Sequence, residues 1–192
     1  MTLYHGSVQG GITALEPRSL LHGDDERVVY LTDSPAYALL YLWDPARTGS
    51  PRKYVTGGIR EGEAFYEEQF PHQLEAFYRG VSGWLYELDA PASLHALPGR
   101  PRLYYACNDV PVVRAVHVPD AYAALLEHEA AGHMRVLRYT EQSSARQQEL
   151  TGMIAAYIRQ SGFFADDPIQ RAFMQRRFAD AWAQAASPAD HT

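Results

Sequence analysis

The stretch Arg27–Trp43, RVVYLTDSPAYALLYLW, decides how this 192-residue chain is read. Val28, Val29, Tyr30 and Leu31 form a β-branched and aromatic run, the mark of a short buried strand. Thr32-Asp33-Ser34-Pro35 then supplies oxygens that cap free N–H groups and a proline suited to the first helical position. Beyond it, Ala38, Leu39, Tyr41 and Leu42 keep one helix face apolar, and Asp44-Pro45 stops the helix. The unit is strand, capped turn, helix. Tyr30 ends the strand and Tyr41 lies on the helix, with ten residues between them. Two phenol rings on different elements can face one cleft and sandwich a flat heteroaromatic ring, although tyrosines at such positions also suit an ordinary core.

Upstream, residues 1–7 read as strand 1, carrying Leu3-Tyr4-His5-Gly6-Ser7. Ile12 to Leu15 is a second short extended piece, and Arg18 to Glu26 is a polar loop around Gly23-Asp24-Asp25. Downstream, Arg47 to Arg52 is a turn-rich basic linker. Lys53 to Ile59 is a short extended or helical segment ending in a glycine pair. Glu61 to Tyr78 is expected to be partly helical with an interruption at Pro71. Trp84–Leu88, Leu103–Cys107, Val110–Val118 and Met134–Tyr139 read as strands. A helix is expected from Asp120 through Ala131, another from Gln142, and a third over Pro168–Ala186. Residues 187–192 look disordered.

The order implies an α+β domain over 1–140 with a small, mostly antiparallel or split sheet and flanking helices, and a helical extension over 141–186 packed on it. The net charge of −6 argues against a surface for duplex nucleic acid, which needs a basic face. The single Cys107 allows no internal disulfide and fits a reducing compartment, and its apolar surroundings read as a buried inert thiol. No leader-like or membrane-spanning run occurs, so a cytoplasmic protein without a membrane partner is expected.

A strand with His-Gly-Ser, followed 25 residues on by a hydrophobic-Tyr-x10-Tyr strand–helix unit, resembles the ADP-ribosyltransferase fold, in its diphtheria-toxin/PARP-like branch and as a small bacterial type. The likeness covers the first quarter of the chain well. It implies NAD as substrate, with Tyr30 and Tyr41 packed on nicotinamide, His5 holding the nicotinamide ribose and the Gly6 backbone pairing with the carboxamide. Ser7 and Ser34 become candidates for ribose or phosphate, with a helix-cap role favoured for Ser34. The family also implies a carboxylate that stabilises the oxocarbenium-like state as the nicotinamide–ribose bond breaks. It sits at the start of a later strand, and Asp109 fits best, where the family usually has glutamate. Glu87 competes, followed by Glu67 and Glu68.

The implied activity is ADP-ribosyl transfer or NAD hydrolysis, with an acceptor that is protein, nucleic acid or small molecule. The alternative is a non-catalytic module binding NAD, ADP-ribose or another nucleotide, and the bland reading leaves the tyrosines in the core. Phosphotransfer to RNA uses several arginines around such a site, and the early segment offers Arg18 and Arg27. No metal is expected: in His128-Glu129-Ala130-Ala131-Gly132-His133 the histidines are five apart rather than four, so they read as a helix face and its C-cap. Phosphate-loop, dinucleotide-glycine and nucleophile-elbow patterns are missing from the sequence.

Overall fold

A computed structural model describes residues 1–21, 25–50 and 52–187. The chain is α+β with mostly antiparallel pairing. In order, the elements are β1 (Thr2–Ser7), β2 (Ala14–Leu15), β3 (Ser19–Leu20), β4 (Arg27–Thr32), α1 (Pro35–Leu39), α2 (Pro45–Thr48), β5 (Gly57–Arg60), β6 (Glu63–Glu67), α3 (Gln73–Tyr78), β7 (Gly83–Asp89) and β8 (His95–Ala96). They continue with β9 (Leu103–Ala106), β10 (Val110–Pro111), β11 (Arg114–Val118), α4 (Ala121–Ala130), β12 (Met134–Leu137), α5 (Ser144–Gln160), α6 (Pro168–Arg177) and α7 (Ala179–Ala186).

The main sheet runs β11-β7-β1-β4-β9-β8, with β3 also on β4. β1 pairs with β7 along its whole length, Thr2↔Asp89 to Ser7↔Trp84. Against β4 it pairs only at Tyr4↔Thr32. Beyond that rung the two strands part, and a cleft opens between β1 and β4. A small sheet, β12-β6-β5, joins β12 parallel to β6, and β2 pairs with β10 across one face of the main sheet.

The sheet has a core on each face. Leu3, Leu15, Val29, Leu31, Tyr86, Leu88, Ala106 and Val110 form the smaller one, under the β2–β10 pair. The larger joins α1, the small sheet and the helices, and includes Trp43, Tyr66, Phe77, Leu125, Ile158, Phe173 and Phe178. The C-terminal helices thus share a core with the strands. Trp43 against Phe77, and Phe77 against Phe173, set rings 5.1 and 6.1 Å apart and join the connection between α1 and α2 to α3 and α6.

Several expectations need correction. Glu61–Tyr78 begins as the second half of a hairpin, not a helix: Glu63–Glu67 alternates half-buried and buried positions, the period of a strand. Glu61 and Gly62 both take positive φ in its two-residue turn, as such hairpins demand. Gly57 and Gly58 lie within β5 rather than ending a segment; a Cβ on Gly57 would meet Leu40 Cδ1 and the Phe65 carbonyl at 2.6 Å. The helix after Pro35 ends at Leu39, where the N–H groups of Tyr41 and Leu42 turn to the Ala38 and Leu39 carbonyls three residues back, and the Leu40 carbonyl accepts from the buried Tyr78 hydroxyl at 2.7 Å. Asp44 then starts a helix instead of stopping one, its carboxylate capping Ala46 N–H. The expected helix over Pro168–Ala186 is two, broken at Phe178, whose φ/ψ of −128°/50° leaves the helical region while its ring fills the core. The strand expected over Met134–Tyr139 ends at Leu137, and the helix expected from Gln142 begins at Ser144. Part of the loop around Gly23-Asp24 and the tail beyond 187 lie outside the described residues. Among the described residues no helix is long and apolar enough to cross a membrane.

Candidate functional site

The cleft where β1 leaves β4 widens into a cavity of about 900 Å³. His5, Gly6 and Ser7 line it from β1, Tyr30 from β4, Tyr37 and Tyr41 from α1 and the turn after it. Lys53 and Arg100 contribute cations, and Glu16 and Arg18 lie on the β2–β3 side. The structure therefore gathers His5, Gly6, Ser7, Tyr30 and Tyr41 around one space.

His5 bridges the gap it lines. Its Nδ1 lies 3.0 Å from the Tyr30 carbonyl, which can only accept, so Nδ1 carries the hydrogen. Burial lowers the histidine pKa below its ordinary 6.5, outweighing the bond to Tyr30, and the charge of Lys53 lowers it further. The ring is neutral at pH 7, and its Nε2 is an acceptor. The resemblance implies only that His5 holds the nicotinamide ribose, without a direction for that bond. In this tautomer Nε2 offers the cavity an acceptor rather than a donor.

Gly6 faces α1. A Cβ there would stand 3.0 Å from the Ala38 carbonyl carbon and closer still to its oxygen, so the glycine is required for helix and strand to touch. The Ser7 hydroxyl accepts from Gln9 N–H. Ser34 is buried, caps Tyr37 N–H and does not line the cavity; the cap is its role, and a ligand role finds no support.

The tyrosines divide the work. The Tyr30 hydroxyl donates to the Leu20 carbonyl, fixing the ring. Tyr41 shares a 2.9 Å hydroxyl contact with Tyr37, edge to face with ring centroids 5.5 Å apart. Burial first, then Tyr37, raises the Tyr41 pKa, so the hydroxyl stays neutral. Tyr37, four residues before Tyr41 and so on the same face of the helix the sequence predicts, has no role in the sequence reading although its spacing is legible.

Lys53 was missed altogether. Its Nζ stands 5.5 Å from the centroid of the Tyr41 ring, and desolvation by the surrounding wall lowers its pKa although the side chain keeps access to solvent. Among the described residues neither Lys53 nor Arg100 has a carboxylate partner. No local pattern marks either in the sequence; only folding brings them to one wall.

The expected carboxylates lie elsewhere. Asp109 is exposed just before β10 and does not line the cavity, nor does Glu87, which is on β7 with Arg114 at 3.6 Å. Glu67 pairs with Arg146, and Glu68 accepts from the Leu74 and Tyr139 N–H groups in the interior. Among the described residues, the acid that does line the cavity is Glu16, one of its oxygens held by Arg18 at 2.8 Å. The pairing Leu15↔Val110 puts Glu16 and Asp109 at matching positions one step beyond the two-strand ladder, so the expected acid sits across from the lining one.

Outside the cleft, the Nδ1 atoms of His128 and His133 face each other at 3.3 Å at the end of α4, where Gly132 takes a φ of 73°. Among the described residues no group of three or more metal-ligating side chains converges. Comparison with protein-family models, curated proteins and solved structures found no match for this chain.

Proposed function

We propose that the β1–β4 cleft binds NAD, on a fold similar to that of the diphtheria-toxin/PARP-like ADP-ribosyltransferases. Nicotinamide lies between Tyr30 and Tyr41, a hydroxyl of its ribose donates to His5 Nε2, and the pyrophosphate lies toward Lys53 and Arg100. The observation that carries this reading is the pair of cations without carboxylate partners among the described residues, in a tyrosine-lined cavity. The chain as a whole has 23 acidic against 17 basic side chains, so carboxylates are not scarce. A cation left without one where rings also converge suits a ligand that brings both a flat ring and negative charge. The volume lies within the roughly 300–1,000 Å³ common for ligand cavities.

Turnover is the second reading, and Glu16 favours it. In ADP-ribosyl transfer or NAD hydrolysis, nicotinamide leaves with the bonding electron pair while the ribose carbon becomes positive. Water or an acceptor hydroxyl then attacks that carbon and loses its proton. A carboxylate in the cavity stabilises that positive charge, and Glu16 is placed to supply one.

Calorimetric titration with NAD, with nicotinamide release followed in parallel, tests both. The NAD reading expects saturable binding that weakens about tenfold or more in Lys53→Gln/Arg100→Gln, since charge-assisted bonds contribute roughly 1.5–3 kcal/mol. Absence of NAD binding refutes it. Release of nicotinamide that disappears in Glu16→Gln, with affinity kept, establishes turnover; binding without release leaves a binding module.

A further inference from the structure

A second set of cations without carboxylate partners among the described residues lies away from the cleft. Arg47 is at the end of α2, and Arg176 and Arg177 are in the last turn of α6. The Arg176 guanidinium rests on Gly49, the left-handed residue that ends α2, in the space a Cβ would occupy. Arg177 lies over the Phe77 ring, its guanidinium carbon 5.8 Å from the centroid, and its Nε is buried without a hydrogen-bond partner among the described residues. Among the described residues none of the three forms an ion pair; the nearby Arg52 is the one that does, with Asp167 at 2.7 Å. Burial, then Arg176 and then Arg47, lowers the Arg177 pKa, consistent with three like charges crowded together.

Such crowding opposes folding unless something offsets it, and a buried guanidinium N–H without an acceptor is costly. Asp44 could have relieved the charge, but its carboxylate is turned to cap Ala46 N–H. Guanidinium groups converging from two elements match the tetrahedral oxygens of a phosphate group, which accepts several N–H bonds at once. We infer that Arg47, Arg176 and Arg177 form an anion site for a phosphate group, separate from the NAD cleft. The phosphate can come from a phosphomonoester or from a nucleic-acid backbone, and the chemistry of recognition is shared.

The test is a ¹H–¹⁵N correlation spectrum of the full chain, in which arginine Nε–H groups are visible, during titration with inorganic phosphate at constant ionic strength. The Arg177 Nε–H and Gly49 N–H resonances are expected to move together and saturate, with an affinity about tenfold weaker or more in Arg47→Gln/Arg176→Gln. Both residues substituted are exposed, so the fold is retained, and Arg177 stays in place as the reporter. Lys53→Gln/Arg100→Gln is expected to leave these shifts intact. A parallel arm with octauridylate separates the sources: tighter saturation than by inorganic phosphate assigns a phosphodiester backbone, and weaker saturation a phosphomonoester. The inference is overturned if equal chloride produces the same shifts, if they persist in Arg47→Gln/Arg176→Gln, or if they vanish only in the cleft variant.

Discussion

Gly6→Ala tests whether the β1–α1 contact shapes the cleft. The new Cβ would lie 3.0 Å from the Ala38 carbonyl carbon, closer to its oxygen, and 3.6 Å from Leu42 Cδ2. Ordinary carbon contacts begin at about 3.5 Å, so α1 must retreat by roughly 1 Å. The obstruction is backbone, which no rotamer change relieves. Overpacking of this kind costs about 1–3 kcal/mol, and for a chain of this size each kcal/mol lowers Tm by roughly 2–4 °C. The expected fall is therefore about 2–12 °C in a thermal melt. Because the same helix carries Tyr37 and leads into Tyr41, the aromatic wall moves too, and NAD affinity should drop by more than the stability loss explains. Gly132→Ala is the control: its φ of 73° strains an alanine by roughly 1–2 kcal/mol, but nothing lies within 4 Å of the added carbon. It should lower Tm by about 2–8 °C and leave NAD affinity unchanged, so affinity rather than Tm separates the two variants. A Gly6→Ala protein melting within about 1 °C of the parent, with NAD affinity unchanged, refutes the claim that this contact sets the cleft.

Acid should weaken the fold through His5. Its folded pKa lies below the ordinary 6.5, so as pH falls through 6.5 the unfolded chain takes up a proton that the folded chain refuses. Stability is lost over the window from 6.5 down to the folded value and is unaffected by this group above 6.5. His128 titrates in the same sense, so His5→Asn should reduce the slope of Tm against pH in that window without abolishing it; an unchanged slope refutes the assignment. Ser50→Ala should cost about 1–3 kcal/mol, read in urea unfolding, because the buried Gln170 Oε1 loses the Ser50 hydroxyl that lies 2.6 Å away and ties α6 to the chain after α2. A loss below about 0.5 kcal/mol would show that Gln170 finds another donor.

What the sequence by itself determined were features carried by neighbours in the chain. The β4–turn–α1 unit is legible because strand run, hydroxyl cap and proline stand side by side, and Ser34 does cap Tyr37 N–H. The Asp120 start and Gly132 end of α4 are read the same way, as local hydrogen-bond and φ requirements. Where two periods compete, local reading fails: the aromatic run Phe65, Tyr66, Phe70 fits both three–four and alternate spacing, and only pairing of β6 with β5 and β12 selects the strand. The Leu40 carbonyl, just past the early end of α1, likewise finds its partner from a distance, the hydroxyl of Tyr78. Site residues follow the same division. His5, Gly6, Tyr30 and Tyr41 come from two segments near in sequence, whereas Lys53, Arg100 and Glu16 have no pattern around them and line one cavity only because the tertiary fold closes it. Charge makes the point most plainly. Whether a lysine or arginine is paired depends on which carboxylates the fold brings within about 4 Å, and that distance is set by packing, not by position along the chain.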